Sequence, residues 1–177
     1  MKLHLETERL LLRPWRLDDA SGMFYGWAND PEVTKYMTWN PHQNIEETRS
    51  LLKLWLNEYE SDPSRINCAI ILKENNELIG GIDVVSYLKD DNGVTPVIGY
   101  DISRKYWNKG YASEATKKMI EYLFSIGYKQ IRIDAMKENI ASIRVIEKCG
   151  GVYQYTFKDK RVLKGDEPLV NVYLISK

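Results

Sequence analysis

The sequence predicts one α/β domain spanning residues 1–177, built on a single mixed, mostly antiparallel twisted sheet of about seven strands flanked by helices. Three observations lead there. The coarse order of elements is one strand, two or three helices, three strands, a helix, a strand, a helix and two final strands, which suits one sheet with helices packed on it. The segment Val97 to Ile102 is apolar on both faces apart from Asp101, as expected of an interior strand. No internal repeat, low-complexity stretch or linker divides the chain, and 177 residues fit the usual length of one domain.

Each element has a local reason. Leu10-Leu11-Leu12-Arg13 reads as the first strand, closed by Pro14, which has no N–H for a sheet ladder. Asp18 is the expected cap of a short helix running toward Trp27, and Asp30, followed by Pro31, caps a turn through Met37. Asn44 and Glu47 form a capping-box-like pair opening a longer helix. Its apolar stripe is Ile45, Leu51, Leu52, Trp55, Leu56 and Tyr59. The texture changes after Pro63. Strands at Ile66–Leu72 and Leu78–Leu88 form a hairpin across Glu74-Asn75-Asn76-Glu77, and Lys89 to Pro96 reads as a polar loop. A helix from about Ser113 to Ile126 stops at Gly127, the strand 131–135 follows, and a helix from Ile140 to Cys149 stops at Gly150-Gly151. Strands at about Val152–Phe157 and Leu169–Ile175 flank a charged loop containing Gly165.

Bulk properties narrow the function. Lys+Arg and Asp+Glu are equal at 25 each, so nothing electrostatic favours nucleic acid or a membrane as partner. No apolar run approaches a membrane span, and Met1 to Glu8 carries acids without the apolar core of a secretory signal. Cys68 and Cys149 lie apart without a paired spacing and read as reduced thiols of a cytoplasmic protein. His4 and His42 have no ligand spacing, so no metal is expected.

The chemistry concentrates in two segments. In Val97 to Ala115, a strand runs through Arg104-Lys105-Tyr106-Trp107-Asn108-Lys109-Gly110-Tyr111-Ala112 into a helix. A loop entering a helix presents unpaired backbone N–H groups at the positive end of the helix dipole, which suits an anion. Gly110 lets the backbone approach a phosphate, and Asn108 tolerates a left-handed conformation. Ala112 and Ala115 keep the first turn slim, and Lys105 and Lys109 add positive charge. The glycine and lysines alone fit an ordinary turn equally well. The loop lacks the Gly-Lys-Ser/Thr ending of a Walker loop and the three-glycine dinucleotide spacing. In the second segment, Asn139 to Gly150, Asn139 is an N-cap candidate, Ile143 and Ile146 fall at core spacing, and Ser142 sits in the first turn.

Together the two segments resemble the GNAT superfamily of N-acetyltransferases. Trp107-Asn108-Lys109-Gly110-Tyr111-Ala112 is similar to that superfamily's acyl-CoA pyrophosphate loop, with Trp107 in place of the usual Gln/Arg. Trp there, followed by the pair Glu114-Ala115, resembles the ribosomal-protein N-terminal acetyltransferase branch, although Asn108 stands where that branch commonly has Gly. Asn139-Ile140-Ala141-Ser142 through Glu147-Lys148-Cys149-Gly150 is similar to the branch's Asn-x-x-Ser-x-x-x-x-Glu-Lys-x-Gly helix. Thr7 to Arg13 and Asp30-Pro31-Glu32-Val33 add to a resemblance covering about residues 7–175.

The resemblance implies a GNAT fold, acetyl-CoA as co-substrate, and direct attack by an amine (a protein N-terminus or a small molecule) in a ternary complex, by a monomer or homodimer. It implies that Asn139 and Ser142 meet the pantetheine arm and thioester, and that a backbone N–H near Ile102 stabilises the oxyanion. The superfamily's usual tyrosine acid is absent, since Ile146 holds its position, and Ser142 is the substitute candidate. No residue matches a family base. Asp101 and Asp83 are the best placed acids, although a hydrogen-bonded structural carboxylate is the more ordinary reading of each, and a water chain is a third possibility. Glu114 reads as a first-turn acid favouring the helix dipole. Trp15, the segment Tyr36-Met37-Thr38-Trp39-Asn40 and Tyr155 are the acceptor-site candidates, and Asn171 stands where the branch often has Asp. A non-catalytic acyl-CoA sensor and a nucleotide-binding module using the Gly110 loop remain as alternatives.

Overall fold

The structure is a computed structural model that describes residues 3–62, 64–91, 93–161 and 163–177. Met1, Lys2 and Pro63, at which the sequence changes texture, lie outside them. The strands are β1 (Leu5–Glu6), β2 (Leu10–Pro14), β3 (Asn67–Leu72), β4 (Glu77–Asp90), β5 (Gly93–Ile102), β6 (Gln130–Met136), β7 (Val152–Lys158) and β8 (Leu169–Ser176). The helices are α1 (Ala20–Met23), α2 (Pro31–Thr34), α3 (Ile45–Ser61), α4 (Tyr111–Ser125) and α5 (Ile140–Lys148). One sheet takes the order β1-β2-β3-β4-β5-β6-β8-β7, antiparallel throughout except where β5 meets β6 in parallel. The strand beyond the seven expected is the two-residue β1.

Strand alternation divides the side chains between two faces. Against one face pack α4 and α5. Ala115, Met119 and Leu123 of α4 and Ile146 of α5 join Leu10, Leu12, Ile70, Ile82, Ile98, Ile131 and Ile133 in the larger core. On the other face Met23, Trp27 and Leu52 join Trp15, Ala69 and Ile71. The interior strand β5 therefore sends Ile98, Tyr100 and Ile102 toward α4 and α5, and Gly99 and Asp101 toward α1–α3.

Two local expectations give way. The acid that serves the helix start near Leu17 is Asp19, not Asp18. The Asp19 carboxylate accepts the Arg16 N–H at 2.8 Å and pairs bidentately with the buried Arg13 guanidinium at 2.7 Å on both arms. The helix also continues past α1 as a π-helical turn, Phe24–Ala28. Second, Lys89 to Pro96 is not a loop. Strands β4 and β5 keep pairing through Leu88↔Thr95, Lys89↔Val94 and Asp90↔Gly93. The tip of this hairpin is exposed, so its polar composition carries no sheet pattern. The caps Asp30 and Asn44 are as expected, accepting from the Glu32 and Glu47 N–H groups. Among the described residues no helix is long and apolar enough to cross a membrane.

Asp19 ties β2 to the first helical turn through a buried ion pair. Asp19→Ala leaves Arg13 buried without its partner and is expected to cost about 3–5 kcal/mol, read as a lower midpoint in chemical denaturation.

Candidate active site

The central feature is a parting of two strands. β5 and β6 pair only at Val97↔Arg132 and Ile98↔Ile133, although β5 continues to Ile102 and β6 to Met136. Ser103 donates its N–H to the Ile79 carbonyl on the β4 side at 2.8 Å. Alternation along the strand turns the N–H and C=O of Tyr100 and Ile102 the other way, into the opening that β6 leaves. The Ile102 carbonyl there accepts the Trp107 indole N–H at 2.7 Å. Trp107 thus fastens the loop to the strand end, with two-fifths of its surface still exposed.

The loop then enters α4. Asn108 adopts φ +60° and Gly110 φ +82°, both left-handed, and Gly110 is the N-cap of α4 without any side-chain cap. The first N–H groups of the helix have no intrahelical acceptors and face outward from a positive helix end. Tyr111 is buried edge-on against Tyr106 at 6.0 Å, so only its backbone is offered to a ligand. Ala112 is partly buried against the core, and the Lys109 ammonium lies 5.3 Å from the Tyr106 ring. Lys105, by contrast, pairs with Glu77 at 2.9 Å, so its charge is directed to β4 and not to the loop.

Arg9, which the sequence did not single out, braces this loop. Its guanidinium donates to the Lys109 carbonyl at 3.1 Å, pairs with Glu114 at 2.6 Å and lies 4.5 Å over the Tyr111 ring. Glu114 also accepts from the Thr7 hydroxyl at 2.5 Å and the Arg9 N–H at 3.0 Å. Burial alone raises the Glu114 pKa, but these donors outweigh it and hold the carboxyl below its ordinary value. Glu114 is thereby a fastening between the first hairpin and α4.

On the α4–α5 face, Asn139 caps α5 through its side-chain oxygen, which accepts the Ser142 N–H at 3.1 Å. The Ser142 hydroxyl is part-exposed and lies 2.8 Å from the Tyr100 hydroxyl, a contact that no sequence pattern announced. Ile146 is fully buried.

The α1–α3 face holds the two acids. Gly81 and Gly99 are the β4–β5 cross-strand partners of Asp101 and Asp83, so neither carboxylate faces a side chain across that pair, while Asn67 of β3 stands opposite Asp83 on its other side. Asp101 accepts the Gly81 N–H at 2.8 Å, and the nearby buried Trp27 indole, which makes no full hydrogen bond, draws its pKa down. Burial dominates and pushes Asp101 up to about 6. Asp83 is raised by burial to about 7, against the pull of Arg65 at 3.7 Å and with a further push from Asp101. Both keep some solvent-accessible surface although protein surrounds them, as for groups on the floor of a recess.

The acceptor candidates come from two distant segments. Arg161, buried and paired with Asp166, donates to the Lys35 and Met37 carbonyls at 3.1 and 2.9 Å; Lys164 donates to the Thr34 carbonyl at 2.7 Å, and Asn40 to the Leu163 carbonyl at 2.9 Å. The segment of Tyr36 and Trp39 is thus stitched to the β7–β8 loop. Trp39 is half-buried beside His42, with ring centroids 5.3 Å apart. Tyr155 is half exposed and accepts from Arg132 at 3.4 Å on the Asp101 face. Trp15 is a core residue, its indole donating to Asn67 at 2.7 Å. Asn171 is buried, accepts from Thr156 at 2.7 Å and faces the α4–α5 side, away from this recess. Among the described residues no His/Cys/Asp/Glu group is arranged to hold a metal.

The parted parallel pair β5 and β6 thus lies beside the uncapped amino end of α4 in one α/β fold. The family model described as acetyltransferase (GNAT) domain matches residues 9–152, and the chain belongs to this GNAT acetyltransferase family. The chain is 35% identical to the uncharacterized N-acetyltransferase p20 of Bacillus licheniformis over 97% of its own length and 94% of the relative's. It is similar in structure to a GNAT acetyltransferase from Bacillus anthracis (TM-score 0.82, 27% identity, 98% of each chain). The fold is also that of RimL, a ribosomal L7/L12 α-N-protein acetyltransferase in complex with coenzyme A (TM-score 0.83, 17% identity, 98% of each chain). The family makes the chain an acetyl-CoA-dependent N-acetyltransferase.

Gly110 sits where a β-branched residue is strained by roughly 1–3 kcal/mol. Gly110→Val should relax the φ +82° turn and weaken CoA binding about tenfold or more, with the far-UV circular dichroism retained. Unchanged affinity by titration calorimetry in the folded variant would remove the loop from the binding site.

Proposed function

We propose that residues 1–177 act as one cytoplasmic N-acetyltransferase domain that transfers acetyl from acetyl-CoA to a primary amine by direct attack in a ternary complex. The observation that carries the reading is the departure of β6 from β5 ahead of Tyr100 and Ile102, with the uncapped amino end of α4 alongside. That opening joins the two faces of the sheet, with Ser142 on one and Asp101 on the other.

The backbone of Trp107 to Ala112 would hold the pyrophosphate, with Arg9 bracing the loop and Lys109 nearby. Asn139 and Ser142 would meet the pantetheine end, and the Ile102 N–H would receive the thioester oxygen as it gains charge. Acetyl-CoA brings the activated acetyl group; the protein's own groups handle the protons. Asp101, ionised at neutral pH with a pKa near 6, takes the amine's proton on the α1–α3 side. Ser142 donates a hydrogen bond to the departing sulfur on the other. Tyr36, Trp39 and Tyr155 line the acceptor entrance, and the carboxylates of Asp83 and Asp101 suit an amine that arrives as a cation. A protein N-terminus and a small-molecule amine both meet that description.

The test is CoA-thiol release with a panel of amines. Asp101→Asn should lower turnover by about 10²–10⁴-fold with CoA affinity unchanged. Because the base must be deprotonated, kcat/KM of the parent should rise with pH through an inflection near 6. That inflection should vanish in Asp101→Asn, leaving the limb set by the amine itself. Activity within a few-fold of the parent at saturating amine would pass the role to Asp83 or water.

A further inference from the structure

The contact between Tyr100 and Ser142 goes beyond this reading while resting on it. The position from which the superfamily supplies a phenol, Ile146 on α5, carries none and is sealed in the core. A phenol nevertheless reaches the same helix from the strand opposite. Tyr100 projects from β5 toward α5, and its hydroxyl lies 2.8 Å from the Ser142 Oγ and 3.4 Å from the Ser142 carbonyl.

We propose that Tyr100 is a positioning residue for the sulfur side of the reaction: it donates its hydrogen to the Ser142 Oγ, so that the Ser142 hydrogen is turned toward the leaving sulfur. A phenol is a stronger acid than an aliphatic alcohol, and the alcohol is the better acceptor, so the favoured direction is Tyr100 O–H to Ser142 Oγ. With its acceptor side engaged, the serine keeps one hydrogen to give, and that donor is strengthened by the bond it receives. Without Tyr100, a first-turn serine is free to turn its hydrogen to a backbone carbonyl one helical turn back. When the carbon–sulfur bond breaks, the electron pair stays on sulfur, and the Ser142 hydrogen bond and the positive end of α5 stabilise it. Sulfur then takes its proton from water, balancing the proton that the amine has lost. Tyr100 keeps its own proton throughout. Burial pushes its pKa well above the usual value, outweighing a downward pull from the Ser142 contact, with the Cys149 thiol at the end of α5 adding to the rise. That thiol is itself raised by burial to about 11, against a pull from Lys117 of α4.

The experiment titrates the thiol of bound CoA by its ultraviolet thiolate absorbance in the parent, Tyr100→Phe, Ser142→Ala and the double variant. The thiol should ionise at lower pH on the parent than in free solution. Tyr100→Phe should move it back up by about one pH unit, a tenfold change, with CoA affinity unchanged and kcat reduced roughly tenfold. Ser142→Ala should do the same, and the double variant should go no further. Uniform replacement of tyrosine by 3-fluorotyrosine, which strengthens the phenol as a donor without changing its shape, should lower the bound thiol's pKa further in the parent and leave it unmoved in Tyr100→Phe. A bound thiol that titrates identically in parent and Tyr100→Phe, or additive effects in the double variant, would overturn the proposal. Failure of the parent to bind CoA would instead overturn the acetyltransfer reading on which it rests.

Discussion

The site depends on a constraint of backbone hydrogen bonding. A buried N–H or C=O left without a partner costs about 1–3 kcal/mol, so a strand does not part from its neighbour in the middle of a sheet unless something else meets those groups. Here β6 leaves β5 after two paired positions. The structure meets one of the released groups from within, by turning the Trp107 indole onto the Ile102 carbonyl. The remaining edge is the surface on which the proposed acetyl-CoA site is built, and the loop that follows is positioned by that same indole contact.

From this opening the rest of the architecture has a purpose. The left-handed turn at Asn108 and Gly110 directs the chain into α4 with its N–H groups outward, and Arg9 and Glu114 hold that turn from the first hairpin. On the opposite face, glycines stand across the β4–β5 pair from Asp101 and Asp83, and burial raises both carboxylates toward neutrality while each keeps some exposed surface. Arginine does much of the long-range joining, among other places at Arg9 in the loop, Arg65 beside Asp83, and Arg161 against the Lys35 and Met37 carbonyls. Its planar fork of donors lets one side chain meet a carboxylate and carbonyls together.

What was legible in the sequence is what local physics enforces. Positive φ restricts residue type, so Asn108 and Gly110 announced their turn; a helix start needs an acceptor, so Asn44, Asp30 and Asn139 announced theirs. An apolar run on both faces, broken only by Asp101, marked β5 as interior. What stayed hidden depends on partners far along the chain. The β4–β5 tip pairs in water, where no burial pattern forms. Asp18 and Asp19 are equivalent as letters, and only the buried Arg13 decides between them. Lys105 adds charge to the loop on paper, but Glu77, distant in sequence, holds it. Alternation turned Tyr100 toward the helices, yet its reach to Ser142 follows from how α5 lies across the sheet.

Tyr100 and Asp101 are consecutive residues on a strand whose side chains point to opposite faces. In the proposed mechanism they attend to the two ends of the transfer, sulfur and amine. The direction in which protons travel is therefore written in the alignment of β5 with β4, where Gly81 faces Asp101 and Ile82 faces Tyr100. A slip of a single position would turn a phenol toward the incoming amine and a carboxylate toward the sulfur, with every atom of the motif still present. Gly80 is what permits the observed alignment, since a Cβ there would lie 2.2 Å from the Asp101 carbonyl. In the proposed mechanism, a residue with no side chain, outside both recognisable motifs, is thus a condition for the polarity of the chemistry.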